Sequence, residues 1–440
     1  MAKIQEKNRK YFLLKYYVDH LFKASYRRVE YHETEKIPQD GAIIYAPNHT
    51  NTLMDALVVL MSDKVAKVFV ARADLFKHPL LLKFLTFLKM MPINRKRDGL
   101  NTLAKNVEIN NIAVDVLHDK TPFCIMPEGT HTIKHSLLPL QKGIFRIALQ
   151  ANDTFGNEMP VYIVPVGITY GHLFRYRSSM FMLTGEPFNV TRFLMEHPEY
   201  TVPQQQINAL RNELADKMKK VMLHIPDDAN YNATMQLVQL YGNEQHRRLK
   251  FRGNSLINRF KASKETISNV AALLQSNPQE MQELLSLADE FSHQRHALGI
   301  GMKSALKSHT FLSLIGETVL LILGLPYFIF SAIVTSPVTV LYAWLRAKFK
   351  DKAFHNTVQF LIAMVLLPVL LLLLGIIVAI VFPWIWGLVF VLLFIPAFFY
   401  FYDYLSLARS TLSDIKWLIH RDLQKKCELI KNRFTNFLPV

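Results

Sequence analysis

Between residues 42 and 190, short apolar runs alternate with segments long enough for helices. The runs AIIYAP, KVFVA, PFCIMPEG, VYIVPVGITY and FMLTGEP read as strands buried on both faces, so an α/β domain is expected there. Residues 204–224 and 263–296 place apolar positions at helical spacing among many charges, the pattern of soluble helices with solvated outer faces. The character changes near Phe311. Residues 318–345 carry no charge, and residues 353–402 carry none beyond the titratable His355. At roughly 20 residues per spanning helix, the second stretch accommodates two membrane passes folded at Phe382 and Pro383, and the first accommodates one tilted or kinked pass. Near the start, aromatic residues and leucines over 11–22 enclose Lys15 between basic flanks. They read either as an interfacial amphipathic helix or as an ordinary packed one. The first residues lack the apolar core and small-residue cleavage site of a secretory signal, so the N-terminus is expected to stay on the synthesis side.

At 440 residues the chain is long enough for two or three units with their own cores. The boundaries expected are a basic interfacial helix over 1–30, an α/β domain over 31–230 and a helical region over 231–310. A membrane region over 311–405 and a basic cytoplasmic tail over 406–440 complete the order. Lys plus Arg outnumber Asp plus Glu by 51 to 35, a balance of +16 that favours an anionic partner. Nucleic acid is one such partner, but the basic residues that flank the apolar stretches explain the charge more economically. Arg346, Lys348, Lys350 and Lys352 follow the first stretch, and Lys416, Arg421, Lys425, Lys426, Lys431 and Arg433 follow the last, so both flanks are expected in the cytoplasm. One full crossing at 318–345 would then separate the N-terminal domain from the basic loop. A helix broken at Pro326 or Pro337 that enters and returns would keep everything on one side. Only two cysteines, Cys124 and Cys427, occur, far apart, so there is no disulfide framework and a reducing compartment fits.

The candidate chemistry sits at the ends of the expected strands. In APNHTNTLMDAL a strand ends at Pro47, a polar turn follows, and a helical pattern begins near Leu53, with His49 and Asp55 flanking the turn. A His base can deprotonate a hydroxyl near neutral pH, and a carboxylate on its other ring nitrogen fixes the tautomer. The plainer alternative is that Asn48 or Thr50 caps the helix and His49 is a surface residue. KMMPINRKRD places Arg95, Lys96 and Arg97 together, suited to a phosphate, a membrane surface or simply solvent. FCIMPEGTH sets Pro127, Glu128, Gly129 and Thr130 after a strand, where glycine permits close backbone approach to an anion. VYIVPVGITYGHLFRYR delivers Arg175 and Arg177, another candidate anion clamp. No G-x-S-x-G elbow occurs, Cys124 reads as a buried strand residue, and no zinc signature pairs the histidines, so no metal is expected.

Taken in order, these four blocks resemble the motifs of the phospholipid/glycerol acyltransferase family: an Asn-His…Asp block, an Arg block, a Pro-Glu-Gly-Thr block and a Val-Pro-Val block. The resemblance covers about residues 31–190. LLPLQKG and IVPVGITYGHLFRYRS bring it closest to fungal-type glycerol-3-phosphate/dihydroxyacetone-phosphate acyltransferases. It implies an α/β acyltransferase domain, a mixed sheet flanked by helices, followed by soluble helices and a C-terminal α-helical membrane region. It also implies His49 as general base, Asp55 as its orienting partner and Arg95 as a glycerol-phosphate ligand. Glu128 and Gly129, with Thr130, would form the substrate turn, and Pro165 marks the fourth block. Two departures stand out. Five residues separate His49 from Asp55 where most of the family has four, so the turn must absorb one more. His131 replaces the usual arginine after Pro-Glu-Gly-Thr, with Lys134 as a candidate substitute.

The function so implied is transfer of a fatty acyl group from acyl-CoA or acyl carrier protein, a co-substrate rather than a cofactor, to a hydroxyl of glycerol-3-phosphate or dihydroxyacetone phosphate in phospholipid biosynthesis. A 1-acylglycerol-3-phosphate or other lyso-lipid acceptor would use the same base. A non-catalytic lipid-binding scaffold is the alternative of another class, against which the presence of both His49 and Asp55 weighs. The partners implied are membrane lipids, the acyl donor and a phosphorylated glycerol acceptor, with no nucleic acid. The location implied is a bacterial inner membrane or an organelle membrane such as the endoplasmic reticulum, with the catalytic domain cytoplasmic.

Overall fold

The computed structural model describes residues 3–94 and 103–438, so Arg95, Lys96 and Arg97 lie outside the described residues. The chain divides into two compact units. The first holds Met1–Met222 together with Phe349–Phe360, and the second holds Leu223–Lys348 with Leu361–Val440.

The first unit opens with α1 (Arg9–Ser25), begun by the Asn8 side chain accepting from the Lys10 N–H. There follow β1 (Arg28–His32), β2 (Ala42–Pro47), α2 (Leu53–Leu60), β3 (Val68–Arg72), α3 (Pro79–Phe87) and β4 (Met90–Ile93). After them come α4 (Leu103–His118), β5 (Phe123–Cys124), α5 (Gly143–Phe155), β6 (Val161–Tyr170), β7 (Ser179–Thr184) and β8 (Phe188–Asn189). Helices α6 (Val190–Glu196) and α7 (Pro203–Val221) close the series. The strands form one mixed sheet in the order β1-β7-β6-β2-β5-β3-β4, with β8 paired to β6. Strands β6, β2, β5, β3 and β4 run parallel to their neighbours in that run, whereas β7 and β8 are antiparallel to β6. All six residues of β2 are buried, as the unbroken run AIIYAP predicts for a strand covered on both faces. Ile44, Phe123 and Ile163 from neighbouring strands pack with Leu117, Phe145, Ala148 and Leu214 from α4, α5 and α7.

Two segments belong to this unit that the sequence reading set apart. In α1, Tyr11, Val18, Leu21 and Phe22 are buried, while Leu13 and Tyr16 are exposed. The helix therefore packs by one face, and Leu13 and Tyr16 lie on the other. Residues 349–360, placed by hydropathy in the membrane region, fold with the α/β domain, and Phe22 meets Phe360 edge to face at 6.3 Å. Their polar residues give the reason: His355, Asn356, Thr357 and Gln359 are all buried there, which is costly in lipid but tolerable where protein supplies partners.

In the second unit, α8 (Tyr231–Arg248), α9 (Leu256–Ser276) and α10 (Pro278–Ala297) precede the short α11 (Met302–Leu306). Then come α12 (Phe311–Val334), α13 (Ser336–Lys348), α14 (Phe354–Val381), which starts in the first unit, α15 (Trp384–Ile419) and α16 (Arg421–Phe437). A soluble-type core forms where Tyr241 of α8, Leu284 and Phe291 of α10, and Phe434 of α16 meet. Among the described residues, three helices, α12, α14 and α15, are long and apolar enough to cross a membrane. The chain breaks at Phe382 and Pro383 as expected, and α15 packs along α12, with Phe328 stacked on Tyr404 at 4.2 Å. Tyr404 and Tyr400 also donate to the carbonyls of Leu321 and Gly324. Pro326 stays inside α12, and the break falls instead at Thr335, just before Pro337 in the first turn of α13, where a missing N–H costs nothing.

Candidate active site

Strands β2, β5 and β6 run parallel, so the turns after Pro47 and Cys124 and the last residue of β6, Tyr170, meet at one edge of the sheet. Such an edge, at the carboxyl ends of parallel strands, is where open α/β sheets place their sites. The first device there is Asn48. Its side chain accepts from the Ile168 N–H (2.7 Å) and donates to the Ile168 carbonyl (3.2 Å), prolonging the β2–β6 ladder by one side chain. His49, the next residue, is fixed by its main chain: its N–H donates to Glu128 Oε1 (2.8 Å) and its carbonyl accepts from the Thr132 N–H (3.1 Å).

The imidazole then meets Asp55, with His49 Nδ1 2.9 Å from Asp55 Oδ2. Asp55 lies in the first turn of α2 and is fully buried. The same Oδ2 accepts the N–H groups of Thr50 (2.8 Å) and Asn51 (2.7 Å), and Oδ1 accepts the Tyr170 hydroxyl (2.7 Å). A carboxylate can only accept, so the ring proton resides on Nδ1 and the lone pair on Nε2. The side chain of His49 keeps 19% of its surface exposed, enough for a small hydroxyl to reach it. Within the five-residue turn between His49 and Asp55, Thr52 has a φ of +46°, strained for a β-branched side chain. Thr52 is held in that conformation by its own hydroxyl, 2.7 Å from Thr357 Oγ1.

The third block is a clamp on the histidine turn. Glu128 is buried, and besides the His49 N–H it accepts the Leu138 N–H at 3.0 Å. Burial raises its carboxyl to about 7 against the pull of those two N–H groups. Each of its oxygens thus accepts a backbone N–H, and Glu128 ties the His49 turn to the loop at Leu138. Gly129, at φ +66°, makes the turn that only glycine adopts freely, and a Cβ there would strike the Gln141 side chain. Thr130 is exposed and Lys134 half-buried on the loop that follows. His131 stands edge-on to His49 with ring centroids 5.7 Å apart.

The fourth block divides. Arg175 is exposed. Arg177 donates to the carbonyls of Ala24 (2.7 Å) and Tyr26 (3.4 Å), so it stabilises the C-terminal end of α1, where the helix dipole favours a cation, rather than forming the anion clamp expected. Cys124 is buried in β5 and burial pushes its thiol up, as suits an inert strand residue. Two site residues escaped the sequence reading. Tyr170 is separated from Asp55 by 115 residues, and Asp351, whose Oδ2 lies 2.7 Å from His131 Nε2, by 220 residues from its partner. Neither spacing leaves a local signal.

The α/β domain thus places a histidine, paired with a buried carboxylate, at the carboxyl ends of the parallel strands of its mixed sheet. Residues 28–169 match the acyltransferase family model, in agreement with the resemblance of the motif blocks to those of phospholipid/glycerol acyltransferases. The chain is 31% identical over 148 residues to a 1-acyl-sn-glycerol-3-phosphate acyltransferase of Limnanthes douglasii, covering 33% of this chain and 47% of the relative. It is 30% identical over 122 residues to glycerol-3-phosphate O-acyltransferase 2 of Saccharomyces cerevisiae, covering 28% of this chain and 16% of the relative. The crystal structure of PlsC, the 1-acyl-sn-glycerophosphate acyltransferase of Thermotoga maritima, aligns with a TM-score of 0.35 at 19% identity, covering 49% of this chain and 82% of that one. The matched region thus spans less than half the length of either curated relative.

Proposed function

We propose that the protein is a membrane-bound O-acyltransferase that moves a fatty acyl group from a thioester, acyl-CoA or acyl carrier protein, to a hydroxyl of glycerol-3-phosphate or dihydroxyacetone phosphate. The observation that carries this reading is the His49–Asp55 pair, with His49 Nδ1 2.9 Å from Asp55 Oδ2. His49 Nε2 takes the proton of the acceptor hydroxyl as the oxygen attacks the thioester carbonyl carbon. The tetrahedral intermediate collapses, the carbon–sulfur bond breaks, and the imidazolium gives its proton to the departing thiolate. Asp55 stabilises the imidazolium between the two transfers, and no acyl-enzyme is required. The three apolar helices would hold this chemistry at a lipid surface, where an acyl chain is concentrated.

Acylation of 1-acylglycerol-3-phosphate is the second reading, favoured by the likeness to the Limnanthes enzyme. Purified full-length protein, given glycerol-3-phosphate, dihydroxyacetone phosphate or 1-acylglycerol-3-phosphate with acyl-CoA and acyl carrier protein donors in turn, separates them. The expected result is fastest product formation with one of the first two acceptors. A preference for the lyso-lipid would reverse the order, and no ester product with any pair would remove the acyltransferase reading.

A further inference from the structure

The segment that leads into α14 is built into the first unit. Thr357 Oγ1 and the Ala353 carbonyl meet the hydroxyl of Thr52 (2.7 and 3.3 Å), and the Asn356 amide donates to the Leu173 carbonyl. Ala353, Thr357 and Phe360 are buried. At the head of this anchored segment stands Asp351. Its Oδ1 accepts the Ala353 N–H (3.0 Å) and its Oδ2 lies 2.7 Å from His131 Nε2. Phe354 meets the His131 ring edge to face at 5.7 Å, and His131 in turn meets His49 at 5.7 Å. A second imidazole–carboxylate pair therefore stands beside the first, held by a stretch of chain more than 200 residues away.

The two pairs differ in a way that fits different tasks. Asp55 is fully buried and saturated by donors, whereas Asp351 keeps 49% and His131 keeps 22% of the side chain exposed. Burial pushes the Asp351 carboxyl up, but the Ala353 N–H and His131 together outweigh it and hold it below its ordinary value. Asp351 accepts from a proton on His131 Nε2 and so orients the ring; when both ring nitrogens carry protons, the other N–H is a charged donor. A lone cation so near His49 would oppose its protonation during transfer, and the Asp351 charge offsets that. A charged N–H donor next to the base suits an anionic group on the alcohol itself.

We propose that Asp351 is a positioning residue that orients His131 to bind the phosphate of the acceptor, so that the segment before α14 sets acceptor specificity. This rests on the acyl-transfer reading above. The test uses full-length protein in detergent micelles, with glycerol-3-phosphate and 1-acylglycerol-3-phosphate each titrated at saturating acyl-CoA, and acyl-CoA titrated in turn. D351N keeps the Oδ1 acceptor for the Ala353 N–H and removes the charge. The expected result is an acceptor KM raised about tenfold, the loss of one charge-assisted contact, with kcat and acyl-CoA KM within about twofold. H131Q, which leaves Asp351 and its turn in place, should give the same acceptor-specific rise. An arginine holds its charge without help, so D351N added to H131R should change acceptor KM by less than about twofold. Unchanged acceptor KM in D351N or H131Q, a rise in acyl-CoA KM instead, or an undiminished effect of D351N in H131R would overturn the assignment. Those outcomes leave the acyl-transfer reading standing, because wild-type turnover is measured alongside. Failure of that reading would show instead as no wild-type product.

Discussion

Asp55 draws together four donors from two places in the chain: the His49 ring and the N–H groups of Thr50 and Asn51 from one turn, and the Tyr170 hydroxyl. Its charge is what specifies the histidine tautomer, so D55N, with an amide N–H₂ turned toward some of those donors, should lower kcat by about 10²- to 10⁴-fold. The acceptor KM should move little, and steady-state kinetics with glycerol-3-phosphate checks both. Y170F should behave differently. It leaves one carboxylate oxygen buried without a donor and costs about 1–3 kcal/mol of stability, read as a lowered melting temperature, with a kcat loss well short of that of D55N. A kcat as low as that of D55N would place Tyr170 in the chemistry itself. At this scale the His49–Asp55 pair was legible because both residues fall within one strand–turn–helix block. The role of Glu128 was not, since a carboxylate in a turn looks the same in sequence whether it faces a ligand or two backbone N–H groups.

At the scale of elements, the Glu128 turn and the His49 turn form one unit cross-linked through a buried carboxyl. In the fold that carboxyl holds its proton up to about 7, against 4.5 for the free group. Folding therefore binds a proton between those values, and stability falls as pH rises through that window. Melting temperatures of the detergent-solubilised protein should decline from pH 4.5 to pH 7 more steeply in the wild type than in E128Q, whose amide does not titrate. Equal slopes would place the pH dependence elsewhere. The strands were legible as elements because runs such as AIIYAP and VYIVPVGITY are apolar without a break, and a doubly covered sheet requires that. The break between α12 and α13 was legible only in part. Both Pro326 and Pro337 signalled a stop, and an apolar helix tolerates the first within its length while the second sits in a first turn.

For the whole molecule, the decisive feature is that residues 349–360 fold with residues 1–222. Hydropathy could not reveal this, because the segment runs into the 28-residue apolar helix α14 and its charges, Lys350, Asp351 and Lys352, read equally well as a loop between apolar helices. Both parts of one folded unit must lie on one side of a bilayer, so the chain that leaves at residue 222 returns to the same side by residue 349. Helix α12, about 36 Å long, can reach across the roughly 30 Å core, but α13, about 20 Å long, cannot. We therefore expect α12 and α13 to enter and return, and α14 and α15 to cross out and back. Single cysteines replacing Arg175, Lys350 and Lys425 should then all react with an impermeant label from one face of sealed vesicles. Labelling of Arg175→Cys from the face opposite to Lys350→Cys would contradict this topology.

The central claim is that one imidazole, made basic toward an alcohol by a buried aspartate, performs the transfer. Its most direct test is the turnover of H49A, purified as full-length protein with the same melting behaviour as the wild type, on glycerol-3-phosphate and acyl-CoA. Loss of a general base predicts a fall in kcat of about 10²- to 10⁴-fold with acyl-CoA affinity retained. Ester formation by H49A at the wild-type rate would contradict the account.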